Sequence, residues 1–168
     1  MNLKSTLAAC AVIASATGAQ AFDVATYREL VAETVYSIES GDADIAHLIA
    51  VQDQLIDIAV LGMREFIMAH PEHAQLMNFV TREIPAMRGM TLDEMETAWH
   101  DGEALSAIGM SYDTMDPYGA VFGLIDTVVD PVTAWIALTQ YQNTPDDELL
   151  DIAADELSEV VEHLDALS

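Results

Sequence analysis

The chain has 168 residues, with 29 acidic side chains, five basic ones and a single cysteine. At this length one domain is expected, large enough to bury a core without disulfide staples. A hydrophobic share of 52% against a charged share of 20% excludes a disordered chain, and a formal charge of −24 excludes attraction to phosphate backbones or anionic lipid faces.

Residues 1–21 read as a signal peptide: Lys4 supplies the positive start, Thr6 to Thr17 the apolar run, and Ala19-Gln20-Ala21 the small-x-small cleavage site. The run is too short for a spanning helix. Leu7-Ala8-Ala9-Cys10 also reads as a lipid-attachment box. Only Ser5 to Ala9 separate it from Lys4, however, short of the roughly 7–15 apolar residues an export signal uses. Cleavage before Phe22 removes both Lys4 and Cys10. Four arginines then face 29 acids, a formal −25, with no lysine and no thiol. Disulfides, thiolate catalysis and cysteine-ligated metals are thereby excluded. The expected destination is the periplasm of a double-membrane bacterium, or otherwise the medium. The charge reads as solubility or as capture of cations.

Beyond Phe22 every segment reads as helix, and no sustained period of two appears. Asp23 caps a first helix with Tyr27, Leu30, Val31, Thr34 and Ile38 inward, and Gly41 stops it. Asp42 or Asp44 opens a long second helix with Ile45, Ile49, Ile56, Ala59, Met63 and Phe66 on one face. His70-Pro71 ends it, because the residue before proline is pushed out of the α region. A short third helix turns Leu76, Val80, Ile84 and Met87 inward. Thr91 and Glu94 form a capping box for a fourth, with Leu92, Met95, Ala98 and Trp99 toward the core, which Gly102 weakens or ends.

Asp116-Pro117, Asp130-Pro131 and Thr144-Pro145 are helix-start signals 14 residues apart. They predict helices of three to four turns, or one long helix kinked at Pro131. The most apolar stretch, Tyr118 to Tyr141, carries Asp126, Asp130 and Pro131, whose cost in a bilayer favours a buried core helix pair over a membrane span. The last helix has a seam of Leu150, Ala153, Leu157, Val160, Leu164 and Leu167, opposite a solvated face of Asp151, Asp155, Glu159, Glu162 and His163. The expected fold is all-α: a single compact, bundle-like domain of about five to seven helices over residues 22–168.

Three groups of side chains carry candidate chemistry. His70, His73 and Met77 lie in a stretch dense in histidine and methionine. His73 and Met77 are four apart on one helical face, and His70 at the preceding corner completes a three-ligand set suited to copper, above all Cu(I). Met95, in contrast, shares the stripe of Leu92 and Trp99, and methionine is a common filler of helical cores. Glu96 and His100, with Glu103 beyond them, place a carboxylate beside an imidazole, which can bind zinc or iron or orient a base. Opposite charges at this spacing are also ordinary decoration of a solvated helix. Asp126 sits in a segment apolar nearly all round. It is either paired with one of the arginines, or part of a polar stripe with Asp130 and Thr133. Asp130 itself is read as a cap, and Gly119 and Gly123 as points where another helix approaches closely.

Glu-x-x-His, His-Glu-x-x-His, the twelve-residue calcium loop, the P-loop, the dinucleotide fingerprint and Cys-x-x-Cys-His are all absent. The expected function is a non-enzymatic exported binding or accessory module, acting on a protein partner or a metal cation. Copper binding in the periplasm is the alternative. A metal-dependent enzyme comes third, since no complete acid/base or nucleophile set appears.

Overall fold

The computed structural model of the protein describes residues 22–115 and 119–164, and within them the chain forms seven α-helices and no strand. The signal segment, Asp116-Pro117 and Leu167 lie outside the described residues. Helix α1 (Val24–Glu39) starts at Asp23, whose carboxylate accepts from the Thr26 amide at 3.0 Å, and it buries Tyr27, Val31 and Thr34. Helix α2 (Ile45–Ala69) starts at Asp44, which accepts from the His47 amide. Its buried face is Leu48, Val51, Gln52, Leu55, Ile56, Ala59, Gly62 and Met63; of the expected stripe Ile56, Ala59 and Met63 are on it, while Ile45, Ile49 and Phe66 are partly buried against the core. The helix is apolar over most of its circumference, so its buried face is wider than the single stripe expected.

A 3-10 turn (Pro71–His73) leads into α3 (Ala74–Met87). Helix α4 (Leu92–Met95) opens with the predicted capping box, in which the Thr91 side chain accepts from the Glu94 amide and the Glu94 carboxylate from the Thr91 amide at 2.8 Å. It continues without a break into a π-helical turn, Glu96–His100. Helix α5 (Glu103–Ser106) is a single turn.

The axis of the fold is α6 (Ala120–Asn143), one continuous helix through Pro131. Asp130 is therefore inside a helix and is no cap. Proline lacks the N–H that would bond the carbonyl four residues back. That carbonyl, on Thr127, accepts instead from the Tyr27 hydroxyl of α1 at 2.8 Å, both groups being buried. The defect is satisfied from outside, and the helix runs on. Both α2 and α6 are long and apolar enough to cross a membrane, but 83% of the apolar window of α6 is buried by the other helices, as in a central core helix.

After Thr144, α7 (Asp147–His163) folds back antiparallel to α6. Its cap is Asp146, which accepts from the Glu148 amide, and not the expected Thr144. Ala153, Leu157, Val160 and Leu164 are buried along the predicted seam. At Gly123 the two helices come so close that a Cβ would lie 3.0 Å from the His163 carbonyl oxygen. Arg88, beyond α3, pairs with Asp53 of α2 at 2.6 Å and lies over the Trp135 ring of α6, which ties those three elements together.

Candidate metal centre

Four elements, the π turn, a 3-10 turn (Tyr112–Thr114), α6 and α7, meet at a cavity of about 230 Å³ walled by Trp99, His100, Tyr112, Phe122, Asp126, Val129, Asp130, Glu159 and His163. Asp126 and Asp130 stand one turn apart on α6, the one 8% and the other 5% exposed. Glu156, Glu159 and His163 follow at steps of three and four on α7, which keeps them on one face. His100 arrives from the π turn.

At one end of the group, ligand atoms of His100, Asp130 and Glu156 all lie within 4.8 Å of one another. His100 Nε2 is 3.5 Å from Glu156 Oε2 and 3.1 Å from the Thr133 hydroxyl, which itself donates to the Val129 carbonyl. At the other end, His163 Nδ1 comes to 2.6 Å from Asp126 Oδ2. The partner of Asp126 is thus a histidine where an arginine was one expectation, and the polar stripe with Asp130 and Thr133 is present. Glu156 Oε2 and Trp99 Nε1 are buried without a hydrogen-bond partner. Among the described residues no hydrogen bond ends on the Asp130 carboxylate either.

Burial is the main influence on every shifted group here. It pushes the Asp126 carboxyl up to about 8, helped by the charges of Glu159 and Glu156. It pushes Glu156 to about 8, with Glu159, Glu96 and Asp155 adding to it. Asp130 is held well above the carboxylate range by burial, then by Asp126, Glu156 and Glu159. His100 is lowered by burial, against the pull of Glu96, Glu159 and Asp101. The charges that add to burial at these carboxyls are other carboxylates, so the fold gathers acidic groups in a dry place that favours their neutral form. Such a group either keeps protons or takes a cation.

No family model, curated protein or solved structure matches the chain.

Of the predicted metal ligands only His100 enters the cavity, and Asp126, the third candidate, lines it as well. Glu96 stays exposed at the start of the π turn, and its charge still acts on the His100 imidazole against the effect of burial. The Asp101 amide bonds the Glu96 carbonyl at 2.8 Å, five residues back rather than four, and the extra residue turns His100 inward. His70 and His73 flank the Phe66 ring, with centroids 6.4 Å apart, and both imidazoles neighbour the Glu72 carboxylate. Met77 is fully buried in the core, while both rings are at least partly exposed. Asp130, Glu156, Glu159 and His163 were not foreseen as site residues. A signal existed for α7: Glu156, Glu159 and His163 share one face that runs directly beside the Leu157/Val160/Leu164 seam, so half of it had to lie at the helix interface.

Proposed function

We propose that this chain is an exported helical module that binds a divalent first-row transition metal through His100, Asp130 and Glu156. The observation that carries the reading is the meeting of those three ligand atoms, from three separate elements, within 4.8 Å in a half-buried to buried setting. One imidazole with two carboxylates suits zinc, iron or manganese better than calcium or Cu(I). Three protein ligands leave a coordination position open, and the cavity beside it accommodates water or a small ligand. Export rests on the tripartite pattern of residues 1–21. The partner is a cation and not a nucleic acid, because the acidic surface repels phosphate. Catalysis is not part of the proposal.

Calorimetric titration of the chelator-stripped protein with Zn²⁺ tests it. Removing a second-shell partner typically costs about 10–100-fold in affinity, so removing a direct ligand in His100→Ala or Asp130→Asn should cost about 100-fold or more. Equal affinity of the wild type and both variants would sink the assignment.

One observation favours a second reading, Cu(I). His73, Met110 and Met115 line a common cavity of about 380 Å³, and imidazole with thioethers is a soft ligand set. This revises the His70/His73/Met77 expectation, since Met77 is in the core. Cu(I) uptake lost in His73→Ala, but kept in His100→Ala, would support it.

A further inference from the structure

His100 Nε2 has two oxygen neighbours, Glu156 Oε2 at 3.5 Å and the Thr133 hydroxyl at 3.1 Å. Thr133 follows Asp130 by three residues on α6, so the two side chains share a face, with their Cβ atoms about 5–6 Å apart. It is 4% exposed. Its hydroxyl donates its one hydrogen to the Val129 carbonyl at 3.1 Å. What the oxygen turns toward His100 is therefore a lone pair. Thr133 thus brings a fourth donor atom to the place where His100, Asp130 and Glu156 meet.

The separations suit the edges of one coordination shell. Two ligands about 2.1 Å from a metal stand about 3.0 Å apart at the right angle of an octahedron, and about 3.4 Å apart at the wider angle of a tetrahedron. The Thr133 oxygen is nearer the octahedral spacing from Nε2. In the metal-free chain the two atoms share a hydrogen, and a cation takes the place of that hydrogen. The ring stays neutral in the exchange, with its hydrogen on Nδ1, and the hydroxyl keeps its own on Val129.

We propose that Thr133 is a fourth protein ligand of the centre and the residue that sets its metal preference, raising affinity for octahedral Mn²⁺ relative to Zn²⁺. The inference rests on the reading of His100, Asp130 and Glu156 as ligands. The two carboxylates already balance the charge of one divalent ion, so a neutral donor suits the remaining protein position. A hydroxyl is a hard oxygen, of the kind that holds Mg²⁺ in P-loop sites, and oxygen donors in octahedral array suit Mg²⁺ and Mn²⁺. Zn²⁺ has little use for it, because a tetrahedron is complete with His100, Asp130, Glu156 and one water. Around Mn²⁺ four protein ligands leave two positions toward the cavity. Zn²⁺ outranks Mn²⁺ at most nitrogen and oxygen sites, so the preference is read from how the ratio of affinities changes on substitution.

The test is a competition titration of the chelator-stripped protein with Mn²⁺ and with Zn²⁺. Thr133→Val removes the oxygen and keeps the branched shape. It should lower Mn²⁺ affinity about tenfold or more and leave Zn²⁺ affinity unchanged. Thr133→Cys puts a thiolate at the same place, so it should raise Zn²⁺ affinity and lower that for Mn²⁺. Thr133→Ser should keep the wild-type ratio. The cysteine variant decides the matter if the valine variant fails to fold. A residue that only steadies the His100 ring would weaken both metals alike in Thr133→Val and gain nothing for Zn²⁺ in Thr133→Cys. That result, or equal affinities in all four proteins, overturns the fourth ligand and leaves the first three standing. A wild type that binds neither metal overturns both readings.

Discussion

Asp126 and Glu156 hold opposed demands of folding and charge. In an unfolded chain both ionise near their ordinary value of ~4, whereas in the fold burial keeps both protonated up to about 8. Between those limits the folded state binds more protons, so these groups make stability fall as pH rises from ~4 to about 8. Asp130, raised for the same reason, acts in the same direction. His100 opposes them. Its lowered value means that protonation favours the unfolded chain, so its contribution is lost as pH falls through ~6.5. Thermal melts of the metal-free protein between pH 7 and 8, above the histidine range, should therefore show Tm falling with pH. The slope should shrink in Asp126→Asn/Glu156→Gln and also when Zn²⁺ displaces the protons. A slope unchanged in that double variant would assign the effect to the general acidity of the surface.

The element that decides the site is the π turn at the end of α4. An unbroken α-helix from Thr91 would keep His100 on the face of Glu96, toward solvent. The wider turn spends one extra residue and delivers the imidazole to α6 and α7. Gly102 makes the stop. Its φ of +79° is a left-handed conformation that side chains disfavour, and the Tyr112 ring lies 2.7 Å from where a Cβ would stand. Tyr112 walls the cavity, so the stop and the site are mechanically linked. Gly102→Ala should destabilise the protein by more than ~1 kcal/mol in urea unfolding and weaken Zn²⁺ binding at the same time. Full affinity in a destabilised variant would show that His100 keeps its place without the stop.

For the whole molecule, Phe22 joins the start of the domain to its second helix. Its backbone N–H donates to Glu65 Oε2 at 2.8 Å, and its ring meets Tyr27 edge-on at 5.8 Å. Cleavage before Phe22 would turn that amide into an ammonium, and the hydrogen bond into a charge-assisted one. The contact is only partly buried, so a contribution of ~1 kcal/mol is expected after discounting for solvent. Glu65→Gln should then lower the Tm of a chain that begins at Phe22 at pH 7, and less so above the ordinary α-amino value of ~8, where the ammonium is lost. Intact mass decides the premise: a species beginning at Met1, or one lipidated at Cys10, would remove it.

What the sequence by itself determined is what short-range chemistry decides. Asp23, Asp44 and Thr91 with Glu94 cap helices because donor and acceptor lie within three residues of each other, and tertiary packing has little say in them. The α7 seam was equally legible, since a repeat of three and four allows one buried face. Asp130-Pro131 shows the limit. By local rule it starts a helix, and the rule failed because a hydroxyl about a hundred positions away, on Tyr27, satisfies the carbonyl that Pro131 frees. His100 and Asp126 were legible as candidates, but their meeting with Glu156 lay beyond that limit. His100 and Asp130 are 30 residues apart and Asp130 and Glu156 are 26, and no spacing rule connects them. Their meeting depends on the antiparallel register of α6 and α7, set by the close approach at Gly123, and on one extra residue in the π turn. Both are decided by how helices pack against each other, an energy that no single segment contains.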